Sequence, residues 1–185
     1  DFLELVTDII SKLLNDKKAE NIHAYEVIEG YELDDAKIFE ADFLDETIIE
    51  EEKNSWKYYK TNEKQRKAIN KFYKMDSKGE YEFAKHLESN ENVFLFTKLK
   101  KGGFVIDTPY GNYSPDWAIV YKQPDDQLKL YFIIETKADK EKSDLTGVEI
   151  NKINCGKLHF KAVSDDIKFD WVNSYNDFKN KLGIH

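Results

Sequence analysis

The chain has 185 residues, which is enough for one domain or for a domain with an extension. A hydrophobic content of 41% and an aromatic content of 14% exclude a globally disordered protein. The single cysteine excludes an intramolecular disulfide and suits a reducing compartment. No apolar run reaches the length of about 18 residues that predicts a membrane span, and no signal peptide is visible.

The net charge of −8 argues weakly against a nucleic-acid partner, but the charge is unevenly distributed. Residues 1–52 hold 4 Lys/Arg against 17 Asp/Glu, a net of −13, and residues 53–104 hold 13 against 6, a net of +7. Residues 105–185 hold 11 against 13, a net of −2. The total therefore hides a basic middle segment.

The first 75 residues are predicted to form an extension of mixed, partly helical structure. Apolar residues at helical spacing predict an amphipathic helix over 2–14, and the basic segment 53–74 is predicted to be partly helical. The acidic segment 34–52 fits a helix or a strand, and its pattern does not decide between them. We place a boundary near residue 75, with 1–75 as an extension or connector and 76–185 as the core.

From residue 77 onward, the pattern predicts a helix, several strands, a helix, a strand and a closing helix. The first helix, over 77–90, begins with a capping signature in which Ser77 is followed by Glu80. Helices are also predicted over 144–163 and 174–182. Apolar runs predict strands over 92–99, 104–109, 116–121, 130–137 and 167–172. This order is typical of an α/β or α+β domain, a sheet covered by helices.

Two of these strands carry charged side chains at their ends. Glu135 and Lys137 are two residues apart, so they share one face of their strand. Both faces are apolar before these residues, which predicts a central strand. Asp116 begins the preceding strand, and a hairpin places it beside Glu135. Two carboxylates and an ammonium are therefore expected to converge at one point.

Such a trio suits hydrolysis of a phosphodiester with the help of Mg²⁺. Two carboxylates and a backbone carbonyl, that of Thr136, provide the oxygen ligands that Mg²⁺ prefers. The metal would bind a phosphate oxygen and lower the pKa of a bound water. Lys137 would orient or deprotonate that water, or stabilise developing charge. We predict Asp116, Glu135 and Lys137 as catalytic residues, and the first two with the Thr136 carbonyl as metal ligands.

This arrangement, Pro115-Asp116 followed by Glu135-Thr136-Lys137, resembles the signature of the PD-(D/E)xK nucleases. The resemblance implies a restriction-endonuclease-like α/β core, in which helices flank a mixed β-sheet. Here that core would follow the N-terminal helical or mixed extension.

The scaffold of that signature usually adds a catalytic glutamate on the helix before the sheet. Periodicity favours Glu80 over Glu82, because Glu80 shares a helix face with three apolar residues. Those residues are Phe83, Ala84 and Leu87. The alternative is that Glu80 only completes a capping box by returning to the backbone of Ser77.

Longer strings resemble the C-terminal endonuclease region of the type III restriction enzyme nuclease–translocase subunit. That family has the pattern TP-x-G-x-Y-x-PDWA, then an apolar strand ending in ETK, then E-x-x-KI-x-CG-x-x-HF. This chain has "TPYGNYSPDWA" at 108–118, "ETK" at 135–137 and "EINKINCGKLHF" at 149–160. The resemblance covers about 77–163, and Ala138 stands where the family typically has glycine after ETK.

The resemblance implies Mg²⁺-dependent cleavage of double-stranded DNA in the prokaryotic cytoplasm, with Mn²⁺ as a substitute metal. It also implies a helicase-like, ATP-driven motor in the same full-length subunit and a methyltransferase subunit that reads the DNA site. The sequence has no GxxxxGK[ST] phosphate loop and is too short for a two-lobed motor. We therefore expect a part of a larger subunit, in which ATP acts only through a motor outside this chain.

Basic residues in two places are candidate contacts for DNA phosphates. Lys152 lies on the helix over 144–163 and is expected near the site. A basic run with interleaved aromatics would contact the phosphate backbone through Lys57, Lys60, Lys64, Arg66 and Lys67. The alternative for this run is a solvated face that balances the acidic residues 1–52. The alternative for the whole domain is a catalytically silent nuclease fold used for DNA binding or subunit assembly.

Overall fold

The computed structural model describes residues 6–11, 13–14, 17, 24–26, 55–62, 64, 67–135 and 145–182, with side chains except at 132–135 and 182. In chain order its elements are β1 (Tyr58–Lys60), β2 (Phe72–Lys74), α1 (Lys78–Ser89), β3 (Val93–Lys98), β4 (Trp117–Lys122), β5 (Leu128–Glu135), α2 (Gly147–Val163), β6 (Ile167–Val172) and α3 (Tyr175–Leu182). From residue 77 onward, each predicted helix and strand is confirmed within a few residues, except the strand over 104–109.

The four longer strands form one mixed sheet in the order β3-β4-β5-β6. The pairs β3/β4 and β4/β5 are antiparallel, whereas β5 and β6 are parallel. Between these two strands α2 provides the crossover that a parallel pair requires. β5 lies between two neighbours, as its two apolar faces predicted. A mixed sheet flanked by helices confirms the predicted α/β class.

Aromatic side chains pack against both faces of this sheet. On one face, Phe83 of α1 lies with its ring centroid 5.6 Å from that of Trp117 and 5.8 Å from that of Phe178 in α3. On the other face, Phe160 of α2 stacks on Phe169 of β6 at 5.3 Å. Burying one phenylalanine side chain stabilises a fold by about 1.5–3 kcal/mol. The sheet is therefore fixed between two helical layers, which makes its strand ends a rigid support.

The segment 53–74 is not helical where the structure describes it, so this part of the sequence prediction is wrong. β1 and β2 form a two-stranded antiparallel sheet in which Tyr59 faces Tyr73. Both tyrosines are buried between more exposed neighbours, and this alternation is the period of a strand. Aromatic residues also favour strands over helices. The many lysines around these tyrosines concealed the alternation.

Residues before the predicted boundary contribute to the same hydrophobic core as α1 and β4. Tyr59, Ala68, Tyr73 and Met75 are buried in that cluster. The division into 1–75 and 76–185 stays a prediction. The helix predicted over 2–14 is helical at 6–11 and 13–14, whereas the acidic segment 34–52 lies outside the described residues. No helix among the described residues is long and apolar enough to cross a membrane.

The strand predicted over 104–109 is reduced to a single bridge between Ile106 and Tyr113. The chain turns back at once, because Pro109 and Gly111 interrupt the extended run. Gly111 has a φ of 96°, a left-handed conformation that glycine adopts without steric cost. This turn leads directly into Asp116 and β4.

Candidate active site

Asp116 lies immediately before β4, where the chain enters the sheet from the turn over 108–115. Its carbonyl accepts a 2.7 Å hydrogen bond from the backbone N–H of Leu99, which follows β3. Within the turn, the Thr108 hydroxyl donates to the Gly111 carbonyl at 2.7 Å, and the Gly111 N–H donates to the Thr108 carbonyl at 2.9 Å. Pro115 is fully buried. These contacts fix the backbone from which the half-buried Asp116 side chain projects.

Glu135 is the last residue of β5, the strand beside β4. Trp117 faces Ile133 in this antiparallel pair. One step further along the same register, Asp116 comes opposite Ile134, the neighbour of Glu135. The backbones of the two predicted carboxylates therefore meet at one end of the sheet. Thr136 and Lys137 lie outside the described residues, as does the Glu135 side chain, so convergence of these groups stays a prediction.

Glu80 lies in the first turn of α1 and is buried, with 9% of the residue exposed. Its inward direction agrees with the face that Phe83, Ala84 and Leu87 define. The Glu80 carboxylate accepts a 2.8 Å hydrogen bond from the N–H of Asp76, one residue before the helix cap Ser77. The Ser77 hydroxyl accepts the Glu80 N–H at 3.1 Å. The carboxylate thus bonds to the backbone of Asp76 and not to that of Ser77, so only the Ser77 half of the predicted capping box is formed.

The Glu80 carboxylate also pairs with the ammonium of Lys98, the last residue of β3. The Lys98 ammonium lies 2.7 Å from the Glu80 carboxylate and 3.0 Å from that of Asp76. It also donates to the Lys74 carbonyl at 3.0 Å. Burial disfavours the Lys98 charge, but Glu80 and Asp76 outweigh this effect and raise the pKa of the ammonium above its ordinary value. Lys98 of β3 thus contacts both β2, through the Lys74 carbonyl, and α1, through Glu80.

Lys98 was not among the residues that the sequence singled out, although a signal for it exists. It is a charged residue at the end of the apolar strand "VFLFTK", the same feature that drew attention to Glu135 and Lys137. In the register of the sheet, Lys98 faces Trp117, which directly follows Asp116. A basic group therefore belongs to the end of the sheet where the predicted carboxylates lie.

Tyr113 and Glu149 extend the site on the side of α2. Burial raises the pKa of the Tyr113 hydroxyl, and the negative charges of Asp116 and Glu149 raise it further. Glu149 also closes a capping box with Thr146 at the start of α2. The signature T-x-x-E at 146–149 could have been read from the sequence, and it places this carboxylate in the first turn of the helix.

Lys152 lies on α2 against the turn that precedes Asp116. Its ammonium donates to the Asn112 carbonyl at 3.3 Å, next to Gly111. This contact brings the side chain to the region where the sequence placed it. Its contact with DNA stays a prediction.

The basic run predicted to bind DNA is divided between surface and structural positions. Lys57, Lys60 and Lys64 are exposed, and Arg66 lies outside the described residues. Lys67 is half-buried and donates to the Asn90 carbonyl at 2.5 Å, at the C-terminus of α1. A cation at this position complements the negative end of the helix dipole. Lys67 therefore has a structural contact, whatever its role with DNA.

The oxygen chemistry of this end of the sheet fits a hard divalent cation such as Mg²⁺. Asp116 would supply one carboxylate, and Glu135 would supply a second from the adjoining strand end. Among the side chains that the structure describes, no three His, Cys, Asp or Glu residues converge to hold a metal. The Glu135 side chain is not one of these, so the ligand set of Asp116, Glu135 and the Thr136 carbonyl stays a prediction.

A separate cleft of about 400 Å³ runs along β6, between α2 and α3. Its lysines include Lys157, which pairs with Asp170 at 2.9 Å, and Lys181, which lies 3.9 Å from the same carboxylate. None of the described site residues lines this cleft. Its internal charge pairing and its position separate it from the predicted active site.

Comparison with known families adds to this geometry. Residues 66–175 match the sequence model of a family described as an endonuclease domain. No curated protein and no solved structure matches the chain. The matched region is more than half of the chain and includes the four-stranded sheet, α1, Asp116 and Glu135. The chain therefore belongs to this family of restriction-type endonuclease domains.

Proposed function

We propose that this domain hydrolyses phosphodiester bonds of double-stranded DNA and that it requires Mg²⁺. The observation that carries the proposal is the meeting of two strand ends, with Asp116 before β4 and Glu135 at the end of β5. Membership of the endonuclease domain family gives this pair of carboxylates a chemical context. It also favours a nuclease over a catalytically silent module.

In this proposal, Asp116, Glu135 and the Thr136 carbonyl hold the metal. When bound, Mg²⁺ supplies positive charge to a phosphate oxygen and lowers the pKa of a coordinated water. Lys137 orients the attacking water or stabilises the charge that develops on the phosphate. Glu80 supports a metal or a water from α1. The turn over 108–115 holds the backbone of Asp116 in place for this role.

We further propose that the domain belongs to the nuclease–translocase subunit of a type III restriction–modification enzyme. The strings at 108–118, 135–137 and 149–160 support this assignment. The chemistry would resemble that of type II restriction enzymes, whereas ATP would act through a helicase-like motor in the full-length subunit. A methyltransferase subunit would read the recognition site, and the cytoplasm of a prokaryote would be the place of action.

DNA would approach the site along basic surfaces. Lys152 lies beside the turn before Asp116 and would contact a nearby phosphate. Lys57, Lys60, Lys64, Arg66 and Lys67 would contact the backbone further away.

The role of Lys137 is tested by DNA cleavage with Mg²⁺, using the full-length enzyme that contains this chain. Lys137→Met should lose at least about 100-fold in rate, because general acid–base or charge-stabilising groups contribute at least this factor. Lys140→Met removes the same charge three residues further on and should cleave like the wild type. Equal rates for both variants would contradict the catalytic role of Lys137.

The type III assignment has its own test in the same assay. With ATP omitted, the full-length enzyme should bind DNA but leave it uncut, because its motor cannot run. Efficient cleavage without ATP would contradict the type III assignment and leave the nuclease proposal intact. An enzyme that binds DNA but cleaves it under neither condition would instead support the silent module.

A further inference from the structure

The small sheet of β1 and β2 has one face in the core and one face directed outwards. The central residue of each strand is a buried tyrosine, so the residues on either side of it point away from the core. In the register of this antiparallel pair, Tyr58 lies opposite Lys74, and Lys60 lies opposite Phe72. These four residues make up the outer face. The two lysines are exposed and the two aromatic residues are half-buried, so rings and cations alternate on one surface.

The outer face lies in a strongly basic part of the chain. Residues 53–75 hold eight Lys/Arg and one acid, Glu63. The ammonium groups of Lys60 and Lys71 lie 5.8 Å and 5.3 Å from the centre of the Phe72 ring, within the range of cation–π attraction. Tertiary structure therefore brings positive charge and an aromatic ring to the same place.

This combination suits a nucleic acid whose bases are unpaired. An aromatic ring stacks on the flat face of such a base, and an ammonium group binds the phosphate beside it. In a duplex, neighbouring base pairs cover the faces of the bases, so only the lysines would find a partner. An acidic protein segment would also match the lysines, but it has no flat base to match Tyr58 and Phe72. Trp56, two residues before Tyr58, is 40% exposed and adds a third ring close to β1.

We propose that the outer face binds single-stranded DNA, with bases stacked on Tyr58 and Phe72 and phosphates held by Lys60 and Lys74. This inference goes beyond the proposed function, because binding of an unpaired strand needs neither a metal nor cleavage. It also gives a role to the two outward rings, which contact of lysines with a duplex backbone does not use.

The test is fluorescence anisotropy of the full chain with three labelled probes of about 12 nucleotides, a length that covers the site of a typical single-strand binding fold. The probes are an oligothymidylate, a strand of the same length without bases, and a duplex of mixed sequence. The strand without bases keeps the phosphates but offers nothing to stack. The wild type should bind the oligothymidylate about tenfold more tightly than this strand, because stacking of a base on a ring contributes about this factor.

Replacing the rings separates stacking from charge. Phe72→Leu keeps an apolar side chain but removes the ring, so it should weaken binding of the oligothymidylate about tenfold and leave duplex binding unchanged. Tyr58→Leu should have the same effect. Phe94→Leu is the matched control, because Phe94 is 63% exposed on β3, in the other sheet. This control should bind all three probes like the wild type.

Replacing a lysine should instead affect every probe. Lys74→Met removes one phosphate contact, so it should weaken binding of all three probes and lower the dependence of their affinities on salt. Lys85→Met removes the same charge from α1, where the side chain is 64% exposed, and should change none of the affinities.

The comparison between the oligothymidylate and the strand without bases needs no variant, and equal wild-type affinities for them overturn the proposal. Unchanged oligothymidylate binding by both Phe72→Leu and Tyr58→Leu, folded by circular dichroism, also overturns it. An equal loss on the duplex does the same, because it shows that stacking is not involved. Absence of binding to all three probes overturns the proposal and favours an acidic protein partner.

Failure of the proposed function would be visible separately. Cleavage that does not require Asp116 would overturn the proposed function and leave binding of the unpaired strand in place. Cleavage that requires Asp116, combined with oligothymidylate binding that is indifferent to the rings, would overturn only the inference about the outer face.

Discussion

At the scale of single residues, the charged side chains at this end of the sheet have two kinds of role. Glu80 and Lys98 are paired with each other and with the backbone, so they stabilise the junction of α1 with the sheet. Asp116 is fixed through its backbone, and its side chain is half-buried beside Tyr113. Breaking a buried ion pair by removing one partner lowers the free energy of unfolding by about 3–5 kcal/mol, because the other charge is left buried and unpaired. Lys98 is therefore important for the stability of this junction.

Asp76 gives this junction a pH dependence. Burial alone would raise the pKa of its carboxyl group, but the hydrogen bond and charge of Lys98 outweigh burial and lower the pKa. Its contribution to stability is therefore fully present above the unfolded-state pKa of 3.8 and is lost as pH falls through the lower folded-state pKa. The Asp76 side chain is 57% exposed, so we expect an effect below about 1 kcal/mol.

Urea unfolding of the wild type and of Asp76→Asn measures this contribution. The difference in the free energy of unfolding between them should be largest near neutral pH and should shrink as pH falls from about 5 towards 2. Asp165→Asn, on the exposed loop after α2, is the matched control and should change the free energy of unfolding at neutral pH by less than Asp76→Asn does. A wild-type advantage that grows as the pH falls would show that the sign is wrong.

The sequence revealed only part of the residue-level chemistry. Asp116 and Glu135 could be singled out because a short local pattern places each of them at the end of an apolar strand. The inward direction of Glu80 could be read from helix periodicity. Its partner Lys98 could not be assigned to it, because the pair joins α1 to β3 across 18 residues and depends on tertiary packing.

At the scale of secondary structure, the close packing of α2 on the sheet explains why the sequence has a glycine at position 156. A Cβ atom at Gly156 would lie 2.3 Å from the ring of Phe169 in β6. That ring has little room to move, because it contacts Phe160 at 5.3 Å and Tyr113 at 6.2 Å between centroids. Glycine is therefore needed here for close approach of helix and strand, although it lowers helix propensity.

Gly156→Ala should consequently destabilise the domain by about 1–3 kcal/mol, the usual cost of overpacking a core. Gly147, the first residue of the same helix, has no heavy atom within 4 Å of its added Cβ, so Gly147→Ala provides the matched control. We expect this control to be neutral or to stabilise by up to about 1 kcal/mol. Thermal unfolding of the two variants measures the difference, and equal stability would contradict the packing argument.

The elements that the sequence predicted well are those with a long, uniform pattern. β5, β6 and α3 follow clear apolar patterns; the bounds of β6 and α3 agree with expectation to within one residue, whereas β5 begins two residues before the predicted start. β1 and β2 were misread as partly helical because each strand has only three residues, too few for a period of two to stand out. Their strand structure is decided by burial of Tyr59 and Tyr73 against a core that a local pattern cannot show.

At the scale of the whole molecule, the sheet brings distant parts of the chain to one end. The end of β3, the start of β4 and the end of β5 meet there, with α1 on one face and α2 on the other. Membership of the endonuclease domain family agrees with this layout, because nuclease chemistry needs carboxylates held on a rigid support. The arrangement of strands thus explains how residues from three segments can serve one reaction.

The central claim is that Asp116 belongs to the catalytic centre of a Mg²⁺-dependent DNA endonuclease. Its most direct test compares Asp116→Asn with Asp125→Asn in the full-length enzyme, measuring DNA binding and Mg²⁺-dependent cleavage on the same preparations. Asp125 lies on the exposed turn between β4 and β5, and its substitution removes the same charge away from the site. We predict that Asp116→Asn binds DNA but loses at least about 100-fold in cleavage rate, whereas Asp125→Asn cleaves like the wild type. Undiminished cleavage by folded Asp116→Asn would contradict the claim.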